Sequence, residues 1–144
     1  MQQQNYSNHR RMIILFHVVL FIMIILLTIG SFVNLWKSLG DHSRLYNASL
    51  ICVVSICLLF LFFFTRIFAL KAQDRAIRAE ENLRHFVLTG KLLDSRLTIR
   101  QIIGLRFAPD DEFVSLAKRA VEENLSEDAI KREIKNWKGD YYRV

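Results

Sequence analysis

Two runs decide the fold: Met12–Trp36, MIILFHVVLFIMIILLTIGSFVNLW, and Leu45–Leu70, LYNASLICVVSICLLFLFFFTRIFAL, joined by the polar KSLGDHSR of Lys37–Arg44. Each run is about 25 residues, roughly 37 Å of helix at ~1.5 Å per residue. A hydrocarbon core is ~30 Å thick, so either run crosses it with tilt to spare. The first run is too long for the apolar part of a signal peptide, normally about 7–15 residues. Thr28–Leu35 also offers no convincing small-x-small cleavage site. The pair predicts an uncleaved transmembrane hairpin over 12–70, with spans at about 12–36 and 45–70.

Charge follows the same division. The chain of 144 residues carries a formal +6. From Lys71 onward, however, 15 Lys and Arg face 13 Asp and Glu. The excess sits at Arg10, Arg11, Lys37, Arg44 and Arg66, beside or within the apolar runs. That pattern suits contact with anionic lipid rather than a phosphate-binding surface. Arg10, Arg11, Arg66 and Lys71 are the expected membrane-interface residues, Arg66 by snorkelling into the headgroups. The outer flanks carry Arg10, Arg11, Arg66, Lys71, Arg75 and Arg78, against Lys37 and Arg44 in the loop, so both termini are expected in the cytoplasm.

Inside the hairpin, His17 is the ionisable residue deep in the first run. The second run contains no His, so a haem or quinone site would need a second chain. The expected role is a hydrogen bond at the interface or across to the other helix. Thr28, Gly30, Ser31, Asn34, Ser49 and Ser55 are small or polar positions that let helices approach closely. They gather toward the loop, where packing should be tightest. Cys52 and Cys57 lie five apart and point in different directions on a helix, so they read as small buried hydrophobes.

Beyond the hairpin, 71–90 should continue the second span as helix, with an apolar stripe of Ala76, Ile77, Leu83, Phe86 and Val87 interrupted by Glu80. Gly90 is its expected stop. The remaining 91–144 reads as a small helical module. Thr98-Ile-Arg-Gln101 is a capping box opening a helix to about Leu105. Pro109-Asp110-Asp111-Glu112 starts a second helix running to about Asn124, its acids complementing the helix dipole. Ser126 caps a third, expected to bury Ile130, Ile134 and Trp137 and to close at Gly139. The fold class is all-α: a two-helix transmembrane hairpin with a small three-helix cytoplasmic module, preceded by a polar tail over 1–11.

No phosphate loop, Ser/His/Asp order or metal-ligand spacing such as C-x-x-C occurs. No cofactor or small-molecule substrate is indicated. Three short helices with a basic last one suggest a helix-turn-helix DNA reader. Yet Leu97–Val144 holds nine basic and nine acidic residues, with Asp94 just before, a poor balance for phosphate binding.

The block Arg96-Leu-Thr-Ile-Arg-Gln-Ile-Ile-Gly-Leu-Arg-Phe-Ala-Pro-Asp-Asp-Glu-Phe, followed by Glu123-Asn-Leu-Ser-Glu, Ile134-Lys-Asn-Trp and Tyr142-Arg-Val144, carries a likeness. With the opening Gln4-Asn-Tyr-Ser-Asn-His9, it resembles a domain-of-unknown-function family of small two-span bacterial membrane proteins. The resemblance implies a bacterial inner-membrane location and topology, and no activity. The expected function is a non-enzymatic anchor or accessory protein, with the lipid bilayer and a protein partner or a second copy as its contacts. Ile99, Ile103, Phe107, Trp137, Tyr141 and Tyr142 are the expected contact surface, being apolar or aromatic beyond what so small a core should hide. A membrane-tethered DNA-binding module and a haem- or quinone-associated subunit are the alternatives.

Overall fold

The computed structural model describes residues 4–8 and 12–141; Arg10, Arg11 and Tyr142 lie outside them. Among the described residues the structure is all-helical. A π-helical segment Leu15–Leu20 leads into α1 (Phe21–Lys37), followed by α2 (His42–Thr89), α3 (Ile99–Leu105), α4 (Asp110–Glu122) and α5 (Glu127–Glu133). The chain forms two compact units: Arg11–Phe68, and Met1–Arg10 with Ala69–Val144.

In the first unit, α1 and the start of α2 form an antiparallel hairpin, and its seam follows a repeat. Ile24, Ser31 and Ser38 are buried at intervals of seven on α1, and Ala48, Cys52 and Ser55 at intervals of four and three on α2. Such spacing is that of helices packed with a shallow left-handed crossing. Small side chains let the backbones close at the loop end. There the Ser31 and Ser55 hydroxyls meet at 3.0 Å. Each oxygen also lies within reach of a carbonyl of its own helix, Ser31 of Thr28 at 2.7 Å and Ser55 of Cys52 at 2.8 Å. With one proton apiece, one hydroxyl donates across the seam while the other donates to its own carbonyl. At the far end bulk takes over, with Phe16 stacked on Phe62 at 4.8 Å and Phe21 at 5.4 Å from the same ring. The apolar remainder faces outward: Met23, Leu26, Ile29, Val53, Val54, Phe60 and Leu61 are all exposed. The loop is closed by Asp41, whose carboxylate accepts from the Ser43 backbone at 3.0 Å and its hydroxyl at 2.7 Å. The Ser43 hydroxyl, with backbone donors behind it, holds the Asp41 pKa below its ordinary value.

His17 departs from expectation. Its Nδ1 lies 3.0 Å from the carbonyl oxygen and 3.3 Å from the nitrogen of Ile13, so the ring serves the first turn of its own helix rather than α2. A helix start leaves backbone N–H groups without intrahelical partners, and an imidazole four residues on is within reach of one.

In the second unit, the distal end of α2 stops where Gly90 takes a left-handed φ of 72° and its N–H donates to the Phe86 carbonyl at 2.7 Å. Helices α3 to α5 then enclose a core in which Leu105, Phe107, Ala108, Phe113, Ala120 and Ile130 are fully buried. Gln101 links the three. Its Oε1 accepts from the Thr98 N–H at 2.9 Å, completing the capping box. Its Nε2 donates to the carbonyls of Ala120 at 3.1 Å and Leu125 at 3.0 Å. Gly104 lets α5 approach α3 closely, because a Cβ there would lie 3.1 Å from the Glu127 carbonyl oxygen and 3.2 Å from Ile130 Cγ2.

The last helix is shorter than its sequence pattern predicts, ending at Glu133 with Ile134 extended. The next two N–H groups, of Lys135 and Asn136, donate to the Glu112 carboxylate at 3.0 and 3.1 Å. Captured there, they leave the helical path. Trp137 is then laid against Phe107, ring centroids 4.9 Å apart, while the Lys138 N–H donates to the Phe107 carbonyl at 2.8 Å.

Candidate functional site

The distal part of α2 supplies both surfaces that distinguish the second unit. One is a cleft of about 620 Å³ between Gln73, Ile77 and Glu81 of α2, Arg106 after α3, and the Lys138–Tyr141 segment. Arg106 is its floor. The side chain is only 8 % exposed, with one terminal nitrogen 3.0 Å from Asp140 Oδ2 and the guanidinium 4.8 Å above the Phe107 ring. Its Nε is buried without a hydrogen-bond partner. Burial pulls the Arg106 pKa down while the Asp140 carboxylate opposes the shift.

Beside it, Glu81 is likewise buried. Burial raises its pKa, and the bond from Arg84 at 3.1 Å works in the other direction. Arg84 also donates to Asp110 at 2.7 Å and to the Ala108 carbonyl at 2.7 Å, and its guanidinium lies 4.2 Å above the Phe113 ring. The Arg84–Asp110 pair fastens α2 to the start of α4. The ionisable groups of the cleft are thus committed largely to joining elements, and its walls carry both signs of charge. Among the described residues, no three His, Cys, Asp or Glu side chains gather as a metal cluster.

The second surface is apolar and exposed. Leu83, Phe86 and Val87, three and four apart on α2, are 64 %, 51 % and 75 % exposed, with Leu92 beyond the helix end at 67 %. Soluble surfaces seldom gather such residues on one patch without a use.

The residues expected from sequence to form a contact surface are placed otherwise. Phe107 is fully buried and cannot meet a partner. Ile103 and Trp137 are half-buried and pack against the core, and Ile99 is half-buried on α3. Tyr141 is 48 % exposed, its ring lying against Gly139 so closely that no side chain would fit there. Among the expected interface residues, Arg66 is half-buried and Lys71 exposed. His85 is drawn in rather than free, its Nδ1 2.7 Å from the Lys91 carbonyl oxygen and its ring edge toward Phe113.

Basic side chains of α4 and α5 are engaged by acids. Arg119 lies 2.9 Å from Glu123 and 2.7 Å from Glu133. Lys131 reaches Glu127 at 2.6 Å, and Arg132 reaches Asp128 at 3.0 Å. The opening segment joins the same unit: Tyr6 bonds to Asp128 and stacks under Arg132, and Gln4 exchanges two hydrogen bonds with the Asp140 backbone at 3.0 and 2.8 Å. Arg84, Gln101 and Glu112 are the residues whose organising roles sequence reasoning missed. Glu112 was legible only as one of three dipole-compensating acids and Gln101 only as the capping-box partner of Thr98, and nothing local marks Arg84.

No curated protein and no solved structure matches the chain. The profile of one family matches residues 1–144 throughout, and the chain belongs to it: the family of unknown function DUF6526.

Proposed function

We propose that the protein is a two-span membrane anchor that presents a helical interaction module to the cytoplasm and performs no chemistry of its own. The observation that carries this reading is the polarity of the hairpin. Its two helices, Leu15–Lys37 and His42–Thr89, contain windows of mean hydropathy 2.7 with only 11 % and 17 % of the residues buried. A helix pair with hydroxyls in its seam and leucine, isoleucine and phenylalanine on its outside suits lipid, where a water-soluble pair would be arranged the other way round.

The opening segment supports placing both termini on one side, since Gln4 and Tyr6 bond within the same unit as α5 and Asp140. The six-to-two excess of positive charge on the flanks puts that side in the cytoplasm. An interaction role is supported by the Leu83–Phe86–Val87 patch, and a structural role for the cleft by its internal ion pairs. The DNA reading loses ground, because Arg119, Lys131 and Arg132 are turned to carboxylates of their own unit.

Crosslinking of the full chain in native membranes tests the proposal. Recovery of a stoichiometric protein partner, or of a self-oligomer, is the expected result. Recovery of neither, from membranes that retain the chain, overturns the interaction role.

A further inference from the structure

The distal end of α2 holds a heptad repeat that the module leaves uncovered. Counting from Ala69, the first positions of three successive heptads are Ala69, Ala76 and Leu83, and the fourth positions are Ala72, Ala79 and Phe86. Except for the half-buried Ala69, all are exposed. The module packs on a neighbouring face, through Ile77, Glu81 and Arg84 at the second and sixth positions, and Ala76 and Glu80 lie at the edge of the cleft between that face and the 138–141 segment. An apolar seam every 3.5 residues on an otherwise charged helix is the pattern of a helix that pairs with another.

The flanking charges identify the partner. Arg75 occupies the seventh position of the first heptad and Glu80 the fifth of the next. On one helix they lie five residues apart, about 140° around the axis, and so do not face each other. In a parallel pair of identical helices, a seventh-position residue faces the fifth-position residue five further along the other chain. Arg75 of each copy then meets Glu80 of the other, twice by symmetry. The next such pairing, Asn82 with Val87, brings no like charges together.

We propose that a second copy of this chain occupies the Ala72–Phe86 stripe as a parallel two-helix coiled coil. This rests on the membrane reading, which supplies the parallel sense: α2 is one uninterrupted helix from His42 to Thr89, and copies sharing a bilayer enter it in the same direction. The alanines of the first half allow close approach, and Leu83, Phe86 and Val87 bury the distal end.

The test is oxidative crosslinking of the full chain in isolated membranes, in a Cys52→Ala, Cys57→Ala background. Ala79→Cys, on the seam, is compared with Arg78→Cys, one residue off it. Ala79→Cys is expected to give on the order of tenfold more disulfide dimer. Arg75→Glu and Glu80→Arg should each reduce that product several-fold through like-charge contacts, and the two together should restore it. Equal crosslinking at 78 and 79, or no restoration in the combined variant, from chain that stays in the membrane fraction overturns the pairing and leaves the anchor standing. Loss of the chain from the membrane fraction overturns the anchor, and the parallel pairing with it.

Discussion

Replacing Gln101 by leucine should cost the second unit about 1–2 kcal/mol, although no apolar contact is lost. The side chain is 5 % exposed and satisfies the ends of three helices at once. Its Nε2 donates to the carbonyls of Ala120 and Leu125, and its Oε1 accepts from the Thr98 N–H. Leucine matches the volume but offers no polar atom. The Leu125 carbonyl loses its donor, at about 1–3 kcal/mol where water cannot replace it, while the Ala120 carbonyl keeps the Leu125 N–H at 3.1 Å. Loss of the cap's reciprocal bond adds roughly 0.5–1 kcal/mol. The apolar side chain returns about 1–2 kcal/mol through burial. The remainder is a large fraction of the stability of so small a unit.

Urea denaturation of the purified full chain in mild detergent measures it. A Trp36→Phe background leaves Trp137, packed against Phe107, as the fluorescent reporter of the second unit. The midpoint should fall markedly while the slope with urea is kept. A change below about 0.5 kcal/mol would mean that Gln101 does not join the three helices, and the account of the core would fail.

Gly104→Ala should destabilise the same unit by about 1–3 kcal/mol, because the new methyl meets the Glu127 carbonyl and Ile130 at 3.1–3.3 Å; thermal unfolding of the variant checks it. Glu112→Ala should free the Lys135 and Asn136 N–H groups and release the chain after Glu133, read as faster hydrogen exchange over 134–138 with protection of α3 kept. Asp94, held at about 2 by Arg96, contributes stability that is complete above its ordinary value of 3.8 and lost as pH falls toward 2. Asp94→Asn should therefore differ from the parent at pH 6 and converge with it near pH 2. Glu81 runs the other way, its raised pKa making its contribution greatest in acid and lost as pH rises above its ordinary value of 4.5; Glu81→Gln should flatten that part of the stability profile.

How much of this was legible in the sequence depends on the range of the interactions. Helix starts with local chemistry read directly: Thr98 with Gln101, Ser126, and the left-handed stop at Gly90 each need only neighbours three or four residues away. So did the length and continuity of α2, which lacks a breaker between His42 and Thr89. The end of α5 did not, because Ile134–Lys138 keeps helical periodicity and is drawn out by Glu112, more than twenty residues earlier.

Phe107 was expected at the surface for a related reason. Composition alone made Phe107 look surplus to a small core, whereas Lys131, Arg106 and Trp137 all pack around its ring. Leu83, Phe86 and Val87 were recognised as a stripe. That no described residue of their own unit covers them follows only from knowing that the module takes another face.

The proposed hairpin crosses a membrane and returns, leaving the opening segment and the helical module on one side. Labelling of single cysteines by a membrane-impermeant maleimide in intact cells tests it directly, in the background lacking Cys52 and Cys57. Gly40→Cys in the loop should be labelled from outside, and Ser7→Cys and Ser95→Cys only after the membrane is permeabilised. Labelling of all three positions from the same side, or extraction of the chain by alkaline carbonate, would contradict the account.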